Sequence, residues 1–89
     1  MKTSFTPGPW RVDDSGFIVA RGQYREQVVA IVHNSDGYGQ AEANARLIAV
    51  APLLLDELID AAEFIESGGN DASPQRRAIA LALGEEVSA

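Results

Sequence analysis

Acidic residues recur at helical spacing in the middle of the chain, and a row of carboxylates of this kind can bind arginine and lysine. Asp56, Asp60 and Glu63 are spaced i, i+4 and i+7, so a helix places them on one face. Their mutual repulsion, about 0.2–0.5 kcal/mol per pair, is tolerated on a solvated face, which is the plain structural interpretation. The functional interpretation is a partner-binding acidic face formed by Asp56, Glu57, Asp60, Glu63 and Glu66.

Arginines and aromatic residues offer a second binding chemistry, directed at anions. A guanidinium group can hold a phosphate or carboxylate through two parallel hydrogen bonds, and an aromatic ring can stack on a base. The structural alternatives are that arginine stems cover the open face of a sheet and that the single Trp anchors the core. The candidate anion- or ligand-binding residues are Trp10, Arg11, Arg21, Tyr24, Arg25 and Arg46.

Catalytic and metal-binding patterns are missing from the sequence. His33 is the one histidine, there is no cysteine, and none of the usual zinc spacings occurs. As a general base, His33 would need a nucleophile and an orienting carboxylate that the sequence does not place beside it. We therefore expect no catalytic residue, no metal site, no cofactor and no enzymatic activity.

Three short strands are predicted in the first third of the chain. Residues 10–12, 17–20 and 27–32 carry the strand patterns, and the first two are joined by the turn sequence Asp13-Asp14-Ser15-Gly16. Such short connections favour antiparallel pairing, because parallel strands need a crossover of about a dozen residues or more.

A long helix follows the strands. Its apolar stripe recurs at intervals of three and four, and Pro52 predicts a kink or a tight break within it. Ser67-Gly68-Gly69 ends this helix, and Ser73-Pro74 starts a short one, with Ser73 as the N-cap. The stripe consists of Leu47, Ala51, Leu54, Leu58, Ala62 and Ile65.

These elements predict an α+β fold of order β-β-β-α-α. A three-stranded antiparallel meander packs on a long helix kinked at Pro52, and a short C-terminal helix follows, because only the long helix can cover the apolar face of the sheet. The 89 residues fit a single domain, 1–89. Its predicted parts are an extended arm (3–9), the meander (10–33), the long helix (40–67), the short helix (73–83) and a mobile tail (85–89).

The charge balance limits the kind of partner. With 13 acidic and 7 basic residues the net charge is −6, which weighs against direct binding of nucleic acid. An acidic protein can instead dock on a basic groove, although acidic surface also simply keeps a small domain soluble. No secretory signal is visible, and the longest apolar stretch is about half of the ~20 residues that span a bilayer. We expect a cytoplasmic protein without a membrane partner.

Two sequence motifs carry a family resemblance. Thr6-Pro7-Gly8-Pro9-Trp10 is followed by Ala41-Glu42-Ala43-Asn44-Ala45-Arg46-Leu47-Ile48-Ala49 and then by Ala51-Pro52-Leu53-Leu54. Over residues 6–60 the chain resembles a group of small proteins encoded by bacteriophages and prophages, in which these motifs recur in this order. The resemblance implies a phage origin and assigns no activity. It leaves the role of residues 68–89 open.

The leading functional hypothesis is a phage-encoded, non-enzymatic inhibitor of a bacterial defence system, of the anti-CRISPR kind. Its acidic helix face would occupy the basic nucleic-acid-binding site of a host protein, expected to be a defence nucleoprotein complex in the cytoplasm of the infected bacterium. One alternative is a sponge that sequesters a nucleotide immune signal with the arginine and aromatic residues. Another is a phage accessory protein without a defence role. The open sheet edges also favour a homodimer.

Overall fold

Three strands form an antiparallel sheet in the order β1-β2-β3, as the sequence predicted. The structure is a computed structural model that describes residues 5–33 and 39–85. The start of the predicted arm (residues 3 and 4) and most of the predicted tail (residues 86–89) lie outside these residues. The strands are β1 (Trp10–Val12), β2 (Phe17–Arg21) and β3 (Glu26–Ile31).

The turn between β1 and β2 is built by one aspartate. Oδ1 of Asp13 accepts hydrogen bonds from the backbone N–H groups of Ser15 and Phe17, both at 2.9 Å. Gly16 adopts a φ of 85°, a conformation that favours glycine, and its N–H donates to the carbonyl of Asp13 at 3.0 Å. The Asp-Asp-Ser-Gly turn predicted from the sequence is confirmed.

A β-bulge in β3 determines which of its side chains face the helix. Val19 lies opposite Val28, but Ile18 lies opposite Ala30, so Val29 is the extra residue. Val29 and Ala30 both pack against the buried cluster of this region. Val28 remains exposed. No residue type in β3 predicts this shift in alternation.

The first compact unit, Thr6–Leu53, has a core between the sheet and helix α1 (Gln40–Ala49). Ile18 is fully buried there against Ala45 and Ala49, and α1 packs on β1 and β2. The two alanines allow the helix backbone to approach the sheet closely, and Trp10 and Ile48 pack around them. A helix therefore covers one face of the sheet, as predicted, but the covering element is the ten-residue α1 and not a single helix over 40–67.

The predicted long helix is two helices. Helix α1 ends at Ala49, Val50 leaves the helical conformation, and α2 (Ala51–Ser67) begins directly afterwards. Pro52 thus lies in the first turn of α2, where its missing N–H would have had no helical partner. The break expected at this proline is confirmed.

The continuous apolar stripe predicted along 47–65 is wrong in its first half. Leu47 is 62% exposed and Leu54 is 51% exposed. The cause is the break at Val50, which restarts the helical phase. Helix α1 faces the sheet with Ala45, Ile48 and Ala49 instead. The second half of the stripe is confirmed. Its members Leu58, Ala62 and Ile65 all belong to the second core.

That second core joins α2 to helix α3 (Ser73–Ala82) in the other compact unit, which contains residues 54–85. Ala62, Ala72 and Ile79 are buried in it, and larger apolar side chains from both helices surround them. Helix α2 ends as predicted at the glycine pair, where Gly69 has a left-handed φ of 80°. The N–H of Asn70 closes this end on the carbonyl of Ile65 at 3.1 Å.

The predicted N-cap of α3 is wrong by one residue. Ala72 occupies the cap position and Ser73 is the first helical residue. The carboxylate of Asp71 serves the helix start instead, because its Oδ1 accepts the backbone N–H of Ser73 at 2.9 Å and also the Ser73 hydroxyl. These bonds, the hydroxyl bond first, lower the pKa of Asp71 below its ordinary value.

Candidate protein-binding face of helix α2

Helix α2 carries five acidic residues and no basic residue in its 17 positions. Asp56, Glu57, Asp60 and Glu63 are all exposed. They lie roughly opposite the side that packs on α3. Two residues correspond to about 200° around a helix, and three of the acidic residues each precede a core residue by two positions. These pairs are Asp56 and Leu58, Asp60 and Ala62, and Glu63 and Ile65. Burial of one side in the α2–α3 core therefore orients the carboxylates toward solvent.

Glu66, the fifth predicted member, has a structural partner. Its carboxylate accepts two hydrogen bonds from Arg76 of α3, from Nε at 3.0 Å and from Nη2 at 2.6 Å. This side-chain hydrogen bonding lowers the pKa of Glu66 and raises that of Arg76. Glu66 thus links α2 to α3.

Because Glu66 is paired with Arg76, the acidic face of α2 is reduced to four carboxylates: Asp56, Glu57, Asp60 and Glu63. Within residues 5–33 and 39–85, none of the four makes an ion pair or a side-chain hydrogen bond. Carboxylates in such a row can accept hydrogen bonds from Arg or Lys of another molecule without first breaking a hydrogen bond of their own. Glu63 does lie near Arg76, since its charge contributes to the raised pKa of that arginine.

Phe64 lies on this same side of the helix, and the sequence reasoning missed it. Its side chain is 80% exposed. Leu53, Glu57, Asp60 and Phe64 are spaced by four, three and four residues. Their side chains therefore lie along one face of the helix. A helical projection would have placed Phe64 outside the core side of Leu58, Ala62 and Ile65. The face therefore combines negative charge with an aromatic side chain.

Replacing Glu66 by Gln is expected to weaken the pH dependence of stability. The lowered pKa of Glu66 means that its contribution is present above the ordinary value of 4.5 and is lost as the pH falls through the folded-state pKa. The melting temperature of the wild type should therefore drop more between pH 6 and pH 3 than that of E66Q, by a few degrees. Circular dichroism melts at both pH values measure this. Asp71 titrates in both proteins, so an identical drop in the two would show that the Glu66–Arg76 pair does not stabilise the fold.

The predicted anion-binding residues are dispersed over three clefts of the first unit. Arg11 lies opposite Val19, Arg21 follows Val19 by two residues on β2, and both line a cleft of about 360 Å³ together with Trp10. Arg11 is ion-paired with Glu26 in this cleft. Tyr24 and Arg25 lie in the β2–β3 turn and line a second cleft. Arg46 lines a third, which has Asp14 and Glu42 in its wall. Arg11 and Arg21 therefore share a cleft, but Arg25 and Arg46 each lie in a different one.

Trp10 has two structural roles. Its ring packs against the Ile18–Ala45–Ala49 cluster, and its Nε1 donates a hydrogen bond to the carbonyl of Thr6 at 3.0 Å. The second contact ties the extended arm to the start of β1. These contacts orient the Trp10 ring toward the core.

Nowhere in residues 5–33 and 39–85 do three or more His, Asp or Glu side chains come together in a way that could hold a metal ion. Within the part of the chain that the structure describes, no helix is both long and apolar enough to cross a bilayer.

Comparison with known proteins decides the family. The family described as Salmonella phage P22 protein Y8K6 matches residues 1–86. The chain belongs to this family. The match extends past residue 60, the end of the resemblance seen in the sequence, and includes α3. No curated protein and no solved structure matches the chain. Membership in the P22 Y8K6 family establishes a phage protein and names no activity.

The motifs that suggested a phage family meet in the structure. A Cβ added at Gly8 would lie 2.9 Å from Cβ of Pro52, so the arm runs closely over the start of α2. Trp10 of the same motif packs on the cluster that contains Ala45 and Ala49 of α1. In this P22 Y8K6 family member, the two motifs are therefore a set of packing contacts that hold the arm, the sheet and α1 together.

Proposed function

We propose that this phage protein is a non-enzymatic inhibitor of a bacterial defence system, of the anti-CRISPR kind, that acts in the cytoplasm of the infected bacterium. It binds through the acidic face of α2 to a basic surface that a host defence complex uses for nucleic acid. The observation that carries the proposal is a row of four exposed carboxylates on a helix without any basic residue, none of them in an ion pair or side-chain hydrogen bond with another described residue.

The geometry of the face suits a surface made for phosphates. Asp56 and Glu63 are seven residues apart, which corresponds to about 10 Å along a helix. Successive phosphates of one strand advance by ~3.4 Å along the duplex axis, so the length of the row is comparable to the axial rise of about three nucleotides. Arg and Lys side chains placed for a nucleic-acid backbone can therefore reach several of these carboxylates at once.

The exposed ring of Phe64 distinguishes the face from a merely solubilising charged surface. Aromatic side chains often contribute a large share of the energy of a protein interface, and they cluster near its centre. A charged row alone binds weakly and loses affinity as salt is added. Phe64 gives the same surface an apolar contact that salt does not screen.

A nucleotide sponge has less support. Such a protein needs cationic and aromatic side chains that converge on one ligand. Trp10, Arg11 and Arg21 do line one cleft, but Arg11 is ion-paired with Glu26 there and the Trp10 ring packs on the core. The other three candidate residues lie in two further clefts. The row on α2 is the more coherent chemical feature. If the assay described next shows no inhibition of the defence system, the result would favour an accessory phage protein without a defence role.

The test is infection of a bacterial host whose CRISPR system targets the infecting phage, with the protein supplied from a plasmid. We expect the wild type to raise the efficiency of plating and the variant D56N/D60N/E63Q to lose most of this effect. The three substitutions remove negative charge with little change in size, so loss of function reports the charge.

A matched control removes three exposed acidic residues elsewhere, in D14N/E42Q/E85Q. This variant should inhibit as well as the wild type, since it has the same net charge as the first variant but an intact acidic face. Equal loss in both variants would show that overall charge, not the α2 face, is responsible. If the wild type does not restore plating in hosts of several CRISPR types, the anti-CRISPR proposal is wrong.

A further inference from the structure

We draw no further inference here: the strongest candidate, the face of the sheet away from α1, where Val28 and Ile31 of β3 are each 52% exposed, is an apolar surface patch, and nothing in the described part of the chain shows what covers it.

Discussion

Replacing Ile18 by Ala is expected to lower the free energy of unfolding by about 2–5 kcal/mol. Ile18 is the one large side chain of the described residues that is fully buried, and its neighbours in the core include Ala45 and Ala49. Alanines cannot move into the space that the substitution leaves, so the cavity persists. Urea unfolding followed by fluorescence of Trp10, the only Trp of the chain, reports on this core directly.

I18V is the control for this prediction. It removes a single methyl group and should cost about 0.5–1.5 kcal/mol. A small domain has only about 5–15 kcal/mol of total stability, so I18A should be partly unfolded at moderate temperature while I18V is not. An I18A variant as stable as I18V would show that the sheet–α1 core is not packed as described.

Replacing Gly22 by Ala is expected to destabilise the β2–β3 connection by about 1–3 kcal/mol. A Cβ at this position would lie 2.2 Å from the backbone carbonyl oxygen of Arg25. Because the clash is with backbone rather than with a flexible side chain, the turn itself must shift, and with it the register of β3. Thermal unfolding measured by circular dichroism should show a clearly lower melting temperature.

Gly68 provides the matched substitution. A Cβ there would have its nearest neighbour at 3.4 Å, an ordinary contact distance, so G68A should be close to neutral. Both variants replace Gly by Ala, so both lower the conformational entropy of the unfolded chain by a similar amount. This effect therefore cancels when the two melting temperatures are compared. Equal melting temperatures for G22A and G68A would contradict the tight turn at Gly22.

The local features that the sequence predicted correctly depend on few residues. The Asp13–Gly16 turn follows from the hydrogen bonds that an Asx side chain makes to nearby backbone and from a glycine at a positive φ. The break near Pro52 follows from a missing N–H. The antiparallel order followed from the short connections. Each of these is decided within a few residues of chain.

The features that the sequence did not predict depend on distant contacts or on a choice between near-equal alternatives. The bulge at Val29 changes the facing of β3 and has no composition of its own. Helical spacing counted through Val50 predicts Leu47 on the core side, but the helical phase restarts at Val50 and Leu47 is exposed. The pairing of Glu66 with Arg76 arises only when α3 packs on α2, so it could not be read from residues ten positions apart.

The acidic face of α2 and the predicted arginine site differ in how far each can be predicted from local sequence. The exposure of the acidic residues on α2 follows from helical periodicity, and the position of Phe64 beside them could have been found by the same projection. The dispersal of Arg11, Arg25 and Arg46 could not, because it depends on sheet register and on where α1 crosses β1 and β2. Local periodicity therefore supported the α2 face but could not support a composite arginine site.

Displacement of nucleic acid from a purified CRISPR effector complex that the protein inhibits in cells is the most direct test of the acidic face. A fluorescently labelled target duplex bound to that complex should be released by the wild type, less effectively as salt is raised, and by D14N/E42Q/E85Q equally well. D56N/D60N/E63Q should leave the duplex bound. Release of the duplex by D56N/D60N/E63Q at wild-type concentrations would contradict the account, since the carboxylates of α2 would then not be the contact.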